Sequence, residues 1–499
     1  MDASERLNMK KTIIFALVFA ITVSFAACAS GGQGKGTSGF APTGVDSSSA
    51  TTDVQTGNLP DTKYNGRNFR ISMGTGFNFE FYTADDSGDV VDSALYKRNS
   101  IVEDRYEIRI KPVYTNGTGL YGQAEEIILS VQTDNDDYDM TSTMVAGSGG
   151  LISWGVLLDW EDLPYTDLSA SWWNGDINEK YRLAGHTYLA VGDTCMSTLT
   201  MTYAMMMNRS KATEWKITDE VFAKVRKGEW TIDYFDALVR GIYGDIDGQQ
   251  GATPGDFYGF AAENLTNLDV YPFAFDIPMV VSTSDDDIGI ELVIRSDKMV
   301  SAVDKILKLY WSNTGSYIST EDPFYGNHKF IHGTAMFATM TLDNAFHGLR
   351  EMTDDYTILP YPKYDENQKK YKTSMMDNFS VLGVPISVPD AEFVSVIAEA
   401  LNIEAEKYMY PAYYEDALQD KYKRDEETVE FLNLLMDGRT TDLSVLISIN
   451  ISGVNMMFRD IVNMKENLIS SYCDSKEEAI RGQIKNFIDA IKKNAAMNG

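Results

Sequence analysis

The 499-residue chain sets 43 Lys and Arg against 73 Asp and Glu, a formal charge of −30, and 44% of its residues are hydrophobic. That apolar share excludes general disorder, and the acidity repels phosphate backbones, which argues against nucleic acid as a partner. The length exceeds one compact core and predicts about two or three domains.

Met9 to Cys28 reads MKKTIIFALVFAITVSFAAC. Lys10 and Lys11 precede an apolar run from Ile13 to Phe25, and Ala26 and Ala27 stand before Cys28. This is the pattern of a secretory signal segment over 1–27, with Met9 as its start. The run is shorter than the ~20 apolar residues of an ordinary membrane span. Residues 28–59, rich in Gly, Ser and Thr, read as a flexible tether. Cys195 and Cys473 are the remaining cysteines and read as buried free thiols. No Cys/His cluster suggests zinc.

The folded body begins near Tyr64. Phe69, Ile71 and Met73 alternate with Arg70 and Ser72, which predicts a strand. Ala94, Leu95, Arg98, Ile101, Val102 and Tyr106 then recur at helical spacing, with Asp92 or Ser93 as the cap. A second strand runs from Ile108 to Pro112. A helix carries Tyr121, Ala124, Ile128 and Val131, a third strand spans Tyr138 to Met144, and a third helix begins near Ser148. The order β-α-β-α-β-α predicts a parallel sheet flanked by helices. Ligands of such sheets sit beyond the carboxyl ends of the strands. The loops holding Phe77 and Ser148 are therefore candidate ligand loops, the second with backbone N–H groups at a helix start.

Leu199 to Asn208 is an extended apolar run, a buried strand. Thr231 is the expected N-cap of a helix after Trp230. Asp245, Asp247 and Asp256 occupy positions one, three and twelve of a calcium-type loop. Gln249 and Gln250 replace an Asp and a Gly there, so the loop reads as solvated, with a degenerate calcium site as the alternative and no other cofactor expected. Asp285-Asp286-Asp287 reads as a solvated turn. His328 and His332 are four apart in a stretch that reads as strand, out of register for a metal. Phe330 to Leu342 and Ser380 to Val388 read as strands, and Glu392–Lys407, Glu426–Met436 and Ile480–Lys492 as helices. The chain lacks GxxxxGK[ST], GxSxG and HExxH. Paired carboxylates for glycoside cleavage have no fixed sequence signature.

In order along the chain stand the cysteine after two alanines, YDMTSTM with its Gly-turn helix and LLDWEDLPY, AGHTYLAVGD through MMMNRS, KGEWTIDYFDAL, HGTAMFATMTLD, and ILPYPKYD followed by Gly383-Val384-Pro385. This series resembles the extracellular solute-binding proteins of bacterial ABC importers, in the broad carbohydrate-binding group (family 1-like). The resemblance implies an α/β, periplasmic-binding-protein-like (type II) fold. Each of two lobes would be a mostly parallel sheet flanked by helices, joined by crossing segments: 60–203 with 337–384, and 204–336 with 385–499. It implies a lipid anchor at Cys28 on the extracellular face of the membrane. A monomer would capture a small solute, a sugar or oligosaccharide, between the lobes and deliver it to permease subunits without catalysis. Sugars present C–H faces and hydroxyls. Phe77, Trp154, Tyr203 and Tyr271 are then the candidates for stacking, and Ser148, Thr202, Asp343, Asp377 and Asn378 for polar contact. Trp172 and Trp173 read as packing near the lobe junction. The alternatives are a surface-anchored carbohydrate-active enzyme, glycosidase or lyase, and an adhesin or sensor input that feeds no importer.

Overall fold

A computed structural model describes residues 58–74, 78–83, 86, 88–115, 119–283, 288–320, 325–350, 352–422 and 426–498. The signal segment, Cys28, the tether up to residue 57, Phe77 and the Asp285–Asp287 run lie outside the described residues. Among those described, no helix is long and apolar enough to cross a membrane. Cys195 and Cys473 are buried and unpaired.

Strand β1 (Arg67–Met73) pairs in parallel with β2 (Ile108–Tyr114) on one side and β3 (Met140–Met144) on the other. Phe69, Ile71 and Met73 are fully buried, and so is Ser72 between them, as befits a central strand covered on both faces. The intervening helix, Val90–Tyr106, starts at Asp89, whose carboxylate accepts the N–H groups of Val91 and Asp92. The cap thus stands three residues before Asp92. Glu107, left-handed at φ 52°, ends the helix and turns the chain straight into β2. The helix after β3 likewise begins at once, as Val145–Ser153. Strand β12 (Ser380–Gly383) closes this sheet antiparallel to β3, giving the order β12-β3-β1-β2.

The second sheet holds β4 (Tyr203–Asn208), β5 (Tyr243–Gly244), β6 (Phe257–Glu263), β9 (Ser316–Ser319), β10 (Ala335–Thr341) and β11 (Tyr356–Leu359). A separate hairpin pairs β7 (Val280–Ser282) with β8 (Ile290–Leu292). Every residue of β4, β6 and β10 is buried. The sheet is mixed rather than mostly parallel. β10 runs parallel to β6, and β6 to β9, but β4 runs antiparallel to both β10 and β11, and β5 to β6. β11 and the part of β10 from Phe337 on, expected with the first lobe, belong here: β10 pairs with β4 on one side and β6 on the other, and β11 pairs with β4. Helix Ala391–Tyr422, expected with the second sheet, packs instead on helix Val90–Tyr106 of the first.

The chain crosses between the sheets at Met201–Tyr203 and again at Ser374–Met376, and the two segments are hydrogen-bonded to each other. Tyr203 N donates to Ser374 O at 3.0 Å and Met376 N to Met201 O at 2.9 Å. A third strand of backbone lies alongside, with Thr373 N to Gly438 O at 3.0 Å and Thr440 N to Thr373 O at 2.8 Å. A Cβ on Gly438 would stand 2.4 Å from Tyr371 O, so only glycine permits that approach. Glu80 pins the first-sheet ends of both crossings. Its carboxylate accepts Ser197 N at 2.6 Å, just before the first, and Ser380 Oγ at 2.6 Å, just after the second.

Thr231 caps helix Ile232–Arg240 by accepting Tyr234 N, while the indole of Trp230 donates to Pro360 O at 3.0 Å. The stretch around His328 is helical, Tyr325–Ile331, not strand. Its buried cation explains this: Lys329 Nζ reaches Pro254 O and Asp256 O, each at 2.8 Å, while Phe330 is fully buried in the apolar core. Among the described residues, neither histidine of this stretch belongs to a group able to hold a metal.

Candidate functional site

Four segments converge where the crossings enter the second sheet. Tyr203 opens β4, Asp269 follows the short 3-10 turn after β6, Asp377 follows the second crossing, and Asn455 lies in the 3-10 turn Val454–Met456. With Thr266 and Phe273 they line a crevice of about 20 Å³, room for about one water. The turn that presents Asp269 is held by Glu263, which accepts the N–H groups of Leu265 and Asn267. Helix Met457–Asn463 brings Arg459 to Asp269, Nη1 to Oδ2 at 3.3 Å. Asn455 Nδ2 donates weakly to Asp377 Oδ2 at 3.4 Å.

Two polar atoms here are buried and make no hydrogen bond of ordinary geometry, Tyr203 Oη, which lies beside Thr266, and Asp269 Oδ1; Asn378 Oδ1, likewise buried and unbonded, does not line the crevice. Each such group costs about 1–3 kcal/mol when left unanswered, and native proteins tolerate few of them. Burial pushes the Asp269 carboxyl well above the ordinary range, with Arg459 opposing. It raises Asp377 for the same reason, again against Arg459. The arrangement offers acceptors, an aromatic hydroxyl and one guanidinium, which suits recognition of a small donor-bearing molecule. Phe273 also lines a wider hollow of about 470 Å³, whose Lys372 and Asp276 pair at 2.7 Å.

The other residues named from the sequence are placed as follows. Thr202 sits on the first crossing with Oγ1 donating to Thr198 O at 2.7 Å. Ser148 is fully buried, its hydroxyl shared between Thr143 Oγ1 at 2.6 Å and Met144 O at 2.8 Å. Tyr271 is fully buried in an aromatic cluster with Phe275, Tyr310, Tyr361 and Phe458 behind the crevice. Trp154 is 56% exposed at the end of helix Val145–Ser153, and Asp343 lies 3.5 Å from His347 in helix Leu342–Gly348. Neither lines the crevice. Trp172 and Trp173 donate their indole N–H groups to the two oxygens of one buried carboxylate, Glu399, at 2.7 and 2.8 Å. Burial pushes Glu399 up to about 7 against those two bonds.

Sequence reasoning missed Asp269, Asn455 and Arg459. The one local signal was a carboxylate interrupting the apolar Leu268-Asp269-Val270 stretch.

The oxygens of Asp245, Asp247 and Asp256 come within 4.8 Å of one another. Their donors are already protein groups. Gly248 N bonds Asp245 at 2.8 Å, Gln249 N and Nε2 bond Asp247 at 2.8 and 3.0 Å, and Thr253 N and Tyr243 Oη bond Asp256 at 2.8 Å each. The carboxylate chemistry is that of a hard-cation site, but a shell of six to eight oxygens requires the Gln249 and Thr253 contacts to give way.

No protein-family model matches the sequence, and no curated protein matches it. Solved structures do. UgpB from Mycobacterium tuberculosis, in complex with glycerophosphocholine, aligns over 87% of this chain and 99% of its own at a TM-score of 0.50 and 12% identity. UspC from M. tuberculosis aligns over 85% of this chain and 100% of its own at a TM-score of 0.52 and 10% identity. At such identity the likeness is one of architecture: the chain has the α/β periplasmic-binding-protein-like fold.

Proposed function

We propose that the chain is a solute-binding protein, tied by a lipid at Cys28 to the extracellular face of the membrane. It captures a small solute, in the sugar or oligosaccharide class, and hands it to the permease of an ABC importer without breaking bonds. The observation that carries this reading is the crevice at the crossings. It is walled from both ends of the doubled hinge and holds buried polar atoms, Tyr203 Oη and Asp269 Oδ1, that make no hydrogen bond of ordinary geometry. UgpB, of the same fold, is described with a small organic solute bound. A hinge of two paired backbone segments lets the two sheets rotate with little internal change, and a ligand touching both walls favours the closed form.

The test is a thermal-shift screen of the chain against plant and host glycans, with product analysis on the same samples. A true ligand at one hundred times its dissociation constant should stabilise by about 3 kcal/mol. Glycan cleavage products would overturn the reading in favour of an enzyme.

The loop Asp245–Asp256 is, in the same reading, held by its own donors and Lys329 rather than by calcium. Millimolar calcium or excess chelator should then leave the melting temperature unchanged within about 1 °C, since binding by the native state alone would raise it with concentration.

A further inference from the structure

The crevice sets two carboxyl groups, Asp269 and Asp377, against one guanidinium, Arg459. Asp269 meets Arg459 through Oδ2 at 3.3 Å, but its Oδ1 is buried and unanswered. Asp377 takes a 3.4 Å contact from Asn455 and is further held by its own backbone N–H. Arg459 faces both aspartates, and Asp460 and Glu263 add further negative charge around Asp269. Glu263 is held by its own turn, from Leu265, Thr266 and Asn267, and does not line the crevice. Tyr203, only 3% exposed, contributes a hydroxyl that lies beside Thr266 without a hydrogen bond of ordinary geometry, and Phe273 an aromatic wall.

A neutral polyol would supply hydrogen-bond donors to these acceptors, yet leave two partly buried carboxylates sharing one guanidinium. Like charges so placed resist ionisation, and a buried charge needs an opposite partner. An ammonium group answers both demands, and aromatic neighbours favour it further. We propose that the crevice takes a ligand bearing a free ammonium group, of the amino-sugar class, with its nitrogen donating to Asp269 Oδ1 and Asp377 beside Tyr203 and Phe273. This rests on the binding function proposed above and narrows it to one ligand chemistry.

Isothermal titration of the full chain with chitosan oligosaccharides and with their fully N-acetylated counterparts separates charge from shape. The amine form should bind at least tenfold more tightly. Because the chain's formal charge of −30 attracts any cation, the control is Asp269→Asn and, separately, Asp377→Asn. Each leaves the overall charge nearly unchanged and should reduce the preference for the amine at least tenfold. Melting curves confirm that each variant is folded, and one folded variant suffices. Equal affinity for the two forms, tighter binding of the acetylated form, or a preference for the amine that survives either substitution overturns the ammonium assignment and leaves the binding function standing. If neither form binds but a neutral glycan does, the result is the same. Failure of every glycan, charged and neutral, overturns both.

Discussion

Glu399→Ala is expected to lower the folding stability of the chain by about 3–5 kcal/mol, one of the two largest effects predicted for a single substitution. The carboxylate is 1% exposed and is the acceptor for two indole N–H groups at once, those of Trp172 and Trp173. Alanine strips both donors of their partner in a place water does not reach, at about 1–3 kcal/mol each, and leaves a void besides. Glu399→Gln keeps one carbonyl oxygen and so one of the two bonds, and its loss should be about half as large. Guanidinium titration followed by tryptophan emission checks this directly, because the fluorophores are the groups affected. An alanine variant within about 1 kcal/mol of the parent would show that the two indoles find other acceptors.

The second large effect is at Glu80. Its two oxygens hold Ser197 N and Ser380 Oγ, and its side chain is the nearby counter-charge for the fully buried Arg98. Arg98 itself is held by Glu80 O at 2.7 Å and by Asn99 Oδ1 at 2.8 and 3.0 Å. Removing one member of a buried charged set costs about 3–5 kcal/mol, so Glu80→Ala should match Glu399→Ala, while Glu80→Gln, which keeps an acceptor oxygen but still takes the counter-charge from Arg98, should fall only somewhat short of it.

A pH dependence follows from the same groups. Burial lifts both Glu80 and Glu399 from 4.5 to about 7. The folded chain therefore keeps protons that the unfolded chain has released, and stability declines as pH rises from about 4.5 through 7. Each pKa unit is worth about 1.4 kcal/mol, so either group alone accounts for up to about 3 kcal/mol between pH 4.5 and 8. The decline should be shallower in Glu399→Gln and in Glu80→Gln. Stability that rises over this range would contradict the raised carboxyls.

Much of the first sheet could be read from residue order. Phe69, Ile71 and Met73 alternate cleanly, and Thr231 sits where a cap must. Such signals are local, and local chemistry decides them. The errors arose where tertiary contact decided. Tyr325–Ile331 is helical because Lys329 reaches carbonyls more than seventy residues back. β10 lies between β4 and β6 of the second sheet, and its apolar run fixes burial but not the neighbour. The crevice was half legible. Tyr203 and Asp377 flank the crossings, and an apolar run followed by polar residues betrays a crossing. Asp269, Asn455 and Arg459 come from short turns and a seven-residue helix with no periodicity to display, and they meet only once the chain has folded.

The small volume of the crevice governs the rate of capture as well as its strength. Walls that leave room for one water must part before anything the size of a sugar ring can pass. Observed association would then climb with solute concentration only until it reaches the pace at which the walls separate, and go no faster. If the parted form is about one molecule in a hundred, the measured affinity is about a hundredfold weaker than the contacts themselves provide. Substitutions at the paired backbone segments could then tighten binding without touching the guest.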